Sequence, residues 1–251
     1  MVKTALVTGA SAGFGKAIAE KLTADGYKVI GAARRWDRLQ VLRDELGKDC
    51  FFPLQMDVSK TQEIDQALAS LPQDWQAVDL LVNNAGLALG LDKAYEADFK
   101  DWQTMIQTNI IGLTYLTHQI LPQMVERNAG LIINLGSTAG TVPYPGGNIY
   151  GASKAFVKQF SLNLRADLFG TQVRVTNIEP GLCEGTEFSN VRFKGDNQRV
   201  EQLYQGAHAI RPQDIAETVA WISRQPEHLN INRIEIMPVS QSFGPQPVHR
   251  D

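Results

Sequence analysis

Seven short apolar runs alternate with longer amphipathic stretches along nearly the whole chain, and few folds accommodate that order. The runs fall at residues 3–8, 28–33, 50–55, 80–83, 131–135, 172–178 and 231–237. Several are almost continuous in Val, Ile and Leu, as strands buried on both faces require. Helical periodicity fills the intervals at residues 15–24, 36–46, 64–71, 102–125, 153–168 and 212–224. A repeated β–α–β order predicts parallel strands joined by right-handed crossovers. The expectation is an α/β fold, a doubly wound parallel sheet of about seven strands with helices on both faces. The 251 residues carry no repeat and no Pro/Ser-rich linker, so residues 1–251 read as a single domain. Two segments break the rhythm. Residues 182–198 are long, polar and glycine-containing, and are expected to form an irregular lid over a site. Residues 241–251 are expected to form a C-terminal arm.

The first strand runs into Gly9-Ala10-Ser11-Ala12-Gly13-Phe14-Gly15, and a helix follows. Glycines at this turn let backbone N–H groups approach a pyrophosphate at the helix N-terminus, as in a Rossmann-type dinucleotide site. The end of the second strand selects the dinucleotide. An acidic residue there bonds a ribose 2′-hydroxyl and repels a 2′-phosphate. This chain has Arg34 and Arg35 instead, whose guanidinium groups match a phosphate, and the Ser11 hydroxyl can add a donor. NADP(H) is the expected cofactor.

Tyr150 and Lys154 stand four residues apart, so on a helix they share a face. A phenol near pKa 10 is a poor base at neutral pH, and a neighbouring ammonium is expected to favour its phenolate. Such a tyrosine can take a proton from an alcohol or give one to a carbonyl. Ser137 ends the fifth strand, at the carboxyl edge where open parallel sheets bind ligands, and can hydrogen-bond the substrate oxygen.

Together these motifs resemble the short-chain dehydrogenase/reductase family, and the likeness spans nearly the whole chain. The resemblance implies an NADP(H)-dependent oxidoreductase acting on CH–OH groups. It also implies that Asn109 completes a tetrad with Ser137, Tyr150 and Lys154, ordering water toward the lysine. By the same resemblance, Asp57 and Val58 border the adenine, and Asn84, Ala85 and Gly86 line the cofactor. Pro180, Gly181 and Thr186 then contact the nicotinamide. The stretches NNAGLALG at 83–90, GGNIYGASKAFVKQFSLNL at 146–164 and GTEFSNVRFKG at 185–195 are similar to a bacterial branch acting on 3-hydroxy acids. That implies serine, allo-threonine or 3-hydroxypropionate as substrate, or reduction of a semialdehyde such as malonic semialdehyde. A hydroxy acid carries a carboxylate and needs a cation, which points to Arg192, with Lys194 beside it in the lid segment. The family resemblance further implies a homotetramer formed through helices bearing Ile110, Leu113, Leu116, Phe156, Phe160 and Leu164. A broad carbonyl or diketone reductase and a noncatalytic NADP(H)-binding sensor are the alternatives.

The remaining composition narrows the setting. Net charge is −3 and the Arg34-Arg35 pair stands without a basic stripe, so no nucleic-acid partner is expected. No apolar run approaches the roughly 20 residues of a membrane span, and strand-like sequence begins almost at once, without a signal-peptide pattern. With Cys50 and Cys183 as its two cysteines, the chain is expected in a reducing cytoplasm. His118, His208, His228 and His249 are scattered, and no ligand spacing suits a metal.

Overall fold

The structure, a computed structural model, describes residues 2–243. One sheet of seven parallel strands runs in the order β3-β2-β1-β4-β5-β6-β7. In chain order the elements are β1 (Thr4–Thr8), α1 (Gly13–Ala24), β2 (Lys28–Ala33), α2 (Trp36–Leu46), β3 (Phe51–Gln55), α3 (Thr61–Ala69) and β4 (Leu80–Asn83). There follow α4 (Phe99–Ile106), α5 (Leu113–Glu126), β5 (Gly130–Leu135), α6 (Asn148–Asp167) and β6 (Val173–Pro180). The chain continues through α7 (Phe188–Arg192), α8 (Asn197–Tyr204), α9 (Pro212–Ser223) and the edge strand β7 (Arg233–Ile236).

The central strands are apolar because both faces are covered. Every residue of β1 is buried, whereas β7 at the sheet edge alternates exposed and half-buried positions. On one face, Ile18 and Leu22 of α1, Leu39 and Leu42 of α2, and Ile215 and Val219 of α9 pack together. On the other, Ile64 of α3, Leu116, Ile120 and Met124 of α5, and Leu164 of α6 form the second core layer. Each such side chain gains about 1.5–3 kcal/mol on leaving water. The rotamer freedom lost by a Leu or Ile is about 0.5–1 kcal/mol. Burial therefore wins at every one of the Leu and Ile positions.

Polar groups also pass through this core, and those of β4 and β5 are paired. Asn83 Nδ2 donates to Thr117 Oγ1 and to Asn134 Oδ1, both at 2.9 Å, and Asn134 Nδ2 donates to Ser161 Oγ at 2.9 Å. The network joins β4, α5, β5 and α6 directly beneath the site. It fixes the ends of β4 and β5.

Three expectations need correction. The helix expected over 102–125 is α4 and α5 joined by a π-turn, Gln107–Gly112. The i+5 turn swings Asn109 inward, where Leu87 and Ser153 satisfy its amide. The helix expected from residue 153 begins at Asn148, so Tyr150 lies in its first turn rather than ahead of it. Residues 182–198, expected to be irregular, contain α7 and the start of α8, which is capped by the Asp196 carboxylate accepting from Arg199 N–H. The arm expected at 241–251 lies outside the described residues beyond Phe243.

The topology reverses once. From β1 the chain winds outward to β2 and β3, then crosses to β4 on the other side of β1. A crevice opens at such a switch point beyond the carboxyl ends of the strands. Here those ends are Thr8 and Asn83.

Candidate active site

The switch point is stitched by two side chains. Thr8 Oγ1 accepts from the N–H of Asn84 at 3.0 Å and of Ala85 at 2.9 Å, while Asn84 Nδ2 donates to the Thr8 carbonyl at 2.7 Å. These bonds hold the Asn84-Ala85-Gly86 loop against the glycine turn. The glycines are needed for that closeness. A Cβ on Gly15 would collide with the Gly9 carbonyl, and one on Gly9, where φ is +70°, would sit 2.8 Å from Asn84 Nδ2. Helix α1 can therefore start flush with the end of β1, aiming its free N–H groups into the crevice.

A cavity of about 610 Å³ extends from this turn across the sheet edge. Gly9, Ser11, Gly13, Phe14, Arg34, Arg35, Asp57, Val58, Asn84, Ala85 and Gly86 line one end. Ser137, Tyr150, Lys154, Pro180, Gly181, Thr186 and Arg192 line the other. Gly15 and Asn109 do not face it. Gly15 is buried behind Gly9, and Asn109 stands behind Gly86, where an added Cβ would be 3.2 Å from Asn109 Oδ1 and 3.5 Å from Lys154 Nζ.

At the first end, Arg35 Nε and Nη2 both donate to Ser11 Oγ at 3.1 Å, so the pair expected from the sequence is drawn together. Two residues that the sequence reading missed complete the cluster. Glu187 receives Arg35 Nη1 at 2.7 Å and Arg38 Nη1 at 2.8 Å. Arg38 had a signal, since it lies in the first turn of the helix that directly follows Arg34 and Arg35. Glu187 had none, because it lies 152 positions from Arg35. A ribose bearing a phosphate finds guanidinium and hydroxyl donors here, and the residues present fit NADP(H) on that ground.

At the other end the helix start meets the turn after β5. Ser137 caps a 3₁₀ turn, Thr138–Gly140, its Oγ accepting from Ala139 N–H at 3.1 Å. A Cβ on Gly140 would lie 2.6 Å from the Lys154 carbonyl carbon, so this glycine lets α6 close on the turn. Ser137, Tyr150 and Lys154 are thereby brought to one wall.

Tyr150 and Lys154 are both buried. Lys154 Nζ donates to the Leu135 carbonyl at 2.7 Å and stands 5.9 Å from the centre of the Tyr150 ring. Burial pushes the Lys154 ammonium down to about 8. Burial also raises the Tyr150 phenol above its ordinary value, helped by Tyr144 and opposed by the Ser137 hydroxyl and the Arg192 charge. The expected lowering of Tyr150 by Lys154 is not found: burial dominates, and what offsets it in part comes from the Ser137 hydroxyl and the Arg192 charge.

Arg192 points inward rather than to solvent. Its Nη2 donates to Tyr144 Oη at 2.7 Å, and its guanidinium carbon is 5.3 Å from the Tyr144 ring centre and 5.5 Å from that of Tyr150. Tyr144 is a further residue the sequence reading missed, since an isolated tyrosine in a loop carries no spacing signal. Lys194 takes no part, because its ammonium pairs with Asp101 at 2.7 Å. Thr186 lies against the glycine loop, its side chain 3.1 Å from where a Gly13 Cβ would stand.

Known proteins are similar to this chain along nearly its whole length. An NADP-dependent 3-hydroxy acid dehydrogenase of Escherichia coli strain K12 is 58% identical over 245 residues, 98% of each chain. A serine 3-dehydrogenase of Rhizobium radiobacter is 50% identical over 251 residues, the full length of both. A solved structure described as the closed form of serine dehydrogenase complexed with NADP⁺ superposes with a TM-score of 0.97 at 58% identity, covering 99% of this chain and 100% of that one. The family model described as short chain dehydrogenase matches residues 3–197, and the chain belongs to that family.

Proposed function

We propose that this chain is an NADP(H)-dependent dehydrogenase oxidising the hydroxyl of small 3-hydroxy acids, serine among them. The same site would reduce the matching semialdehyde, including malonic semialdehyde. The observation that carries the reading is the inward Arg192 guanidinium, held by Tyr144 within 5.5 Å of the Tyr150 ring. A carboxylate bound there places a hydroxyl two carbons away within reach of the Tyr150 phenol and the Ser137 hydroxyl.

Bound along the cavity, NADP⁺ supplies the acceptor for a hydride from the alcohol carbon. The chain's own groups handle the proton. Ser137 Oγ hydrogen-bonds the substrate oxygen, and Tyr150, once its own phenolic proton has passed to the neutral Lys154 amine, takes the alcohol proton as the C–O bond becomes a carbonyl. Lys154 stands next in line behind Tyr150, with a pKa near 8 that lets it exchange a proton near neutrality. Asn109 holds the Gly86–Leu87 backbone beside Lys154 through its two bonds to Leu87. Arg34, Arg35 and Ser11 favour the phosphorylated dinucleotide over NAD⁺. In reduction each transfer runs backward, Tyr150 giving its proton to the carbonyl oxygen.

This reading places the enzyme in the cytoplasm, as a homotetramer. No helix among the described residues is long and apolar enough to cross a membrane, and Cys50 and Cys183 are both free. Leu113, Leu116 and Leu164 are spent in the chain's own core. Phe156 and Phe160 stack at 5.9 Å, and Ile111, Phe156 and Leu162 stay exposed for a neighbouring subunit.

Initial rates with L-serine, L-allo-threonine, 3-hydroxypropionate and 2-butanol, each with NADP⁺ and NAD⁺, test the assignment. Turnover of the acids with NADP⁺ and little of 2-butanol is the expected result. Equal turnover of 2-butanol would instead make the enzyme a general carbonyl reductase.

A further inference from the structure

The segment between the two ends of the cavity is one short helix, and each of its ends is anchored in a different chemistry. Glu187, the residue before α7, spends both carboxylate oxygens on Arg35 and Arg38. Five residues later Arg192 closes the same helix and donates to Tyr144, while its backbone carbonyl accepts from Gly90 N–H at 2.9 Å. Between these anchors Phe188 packs on Tyr150, ring centres 5.6 Å apart, and Thr186 rests on Gly13. A helix this short spans only about 7.5 Å from end to end and moves as one piece.

We propose that Glu187 is a positioning residue that ties α7, and through it Arg192, to the arginines at the adenosine end. Cofactor recognition and the grip on a substrate carboxylate are then one linked event. The inference rests on the reading above, in which Arg35 meets the 2′-phosphate and Arg192 the carboxylate. Charge allows it. Arg34, Arg35 and Arg38 carry three positive charges, and Glu187 removes one. The two that remain match a phosphate of charge about −1.5 to −2. Carboxylate and phosphate can therefore share the guanidiniums rather than compete for them. Nor does stability explain the contact, since Glu187 is nearly half exposed and such ion pairs contribute little.

The linkage can be measured without turnover. Malonate serves as a carboxylate probe that has no hydroxyl to oxidise. Calorimetric titration of NADP⁺ into the full chain, with and without saturating malonate, gives a coupling factor. In the native protein malonate is expected to tighten NADP⁺ about fivefold or more, within the usual range of such couplings. Glu187→Gln should bring that factor close to one. Arg38→Ala, which removes half of the clamp, should give an intermediate factor. Full coupling retained in Glu187→Gln overturns the proposal, as does native protein that binds both ligands independently. So does a loss of NADP⁺ affinity in Glu187→Gln beyond about tenfold, which would make Glu187 part of the cofactor site itself. Arg192→Ala keeps the two failures apart. If it still binds malonate as the native protein does, the carboxylate reading is wrong and the linkage falls with it.

Discussion

The two ends of this cavity are built from different materials. Beside the Ser11, Arg35, Arg38 and Glu187 side chains, the adenosine end rests on main chain, a tight turn between β1 and α1 locked to the loop after β4 by Thr8 and Asn84. The substrate end is mostly side chain, assembled from Tyr144, Tyr150 and Arg192, which sit on a loop, a long helix and a short one. Main-chain sites tolerate few residue types, because a single Cβ closes them. Side-chain sites change their ligand whenever one group is exchanged. In the proposed function the first end therefore fixes what class of cofactor is held, and the second decides which molecule is acted upon.

Loss of the proton-transfer group tests this division hardest. Tyr150→Phe keeps the ring and its packing on Phe188. It should cut kcat/KM for 3-hydroxypropionate by about 10²–10⁴, the usual worth of a positioned acid–base group. Calorimetry should show NADP⁺ affinity unchanged. A parallel loss of affinity would mean that Tyr150 belongs as much to the cofactor end as to the chemistry.

The main-chain character of the first end is tested by two glycines. At Gly15 an added methyl would strike the Gly9 carbonyl, so Gly15→Ala must push α1 off β1. A cost of about 1–3 kcal/mol in denaturant unfolding is expected, with a loss of NADP⁺ affinity beyond about tenfold. Gly195 has φ +90° but open space around it. There alanine should cost about 1–2 kcal/mol of backbone strain and leave NADP⁺ binding alone. Equal effects on binding would erase the contrast between the two positions.

At the side-chain end the charge should matter more than its support. Arg192→Ala removes a charge-assisted bond worth about 1.5–3 kcal/mol, so KM for 3-hydroxypropionate should rise by about tenfold or more. An uncharged alcohol should be affected far less. Tyr144→Phe leaves the guanidinium in place and removes only its hydroxyl partner, for an expected rise in KM of about two- to tenfold. Equal losses for acid and alcohol in Arg192→Ala would detach the arginine from the substrate carboxylate.

The same contrast governs what the sequence disclosed. Gly9, Gly13 and Gly15 were readable because a main-chain turn writes itself into consecutive residues. The β–α alternation was readable because burial on both faces leaves mostly apolar residues in β1, β4 and β5, with Thr8, Asn83 and Asn134 near the strand ends among the polar exceptions. The spacing of Tyr150 and Lys154 survived translation into structure, being local to one helix turn. Glu187 and Tyr144 were silent, since their partners lie 152, 149 and 48 positions away. Helix α7 was silent too, being too short to show a periodicity. The π-turn at Asn109 left no mark, because a single extra residue in an amphipathic stretch does not disturb its composition.

The smallest expected effect concerns the proton store where the two ends meet. Lys154 has a folded pKa of about 8 against an ordinary value of 10.5. Above pH 8 the folded chain has released this proton while the unfolded chain still holds it, so stability rises with pH. Cys183 and Tyr150 act in the opposite sense. Burial raises both, Cys183 from 9.0 to about 12 and Tyr150 above its ordinary 10.0, so the stability they contribute is lost as pH climbs above 9 and above 10 respectively. The clean window is therefore pH 8 to 9. Urea unfolding across it should show stability increasing by at most about 1.4 kcal/mol, the limit for one proton per pH unit. Lys154→Met should flatten that slope, while retaining the opposing decline above pH 9. A native slope that persists in Lys154→Met would assign the titration to another group. The proton relay would then lose its second member, although the anchoring of Lys154 on the Leu135 carbonyl would still hold Tyr150 at the mouth of the cavity.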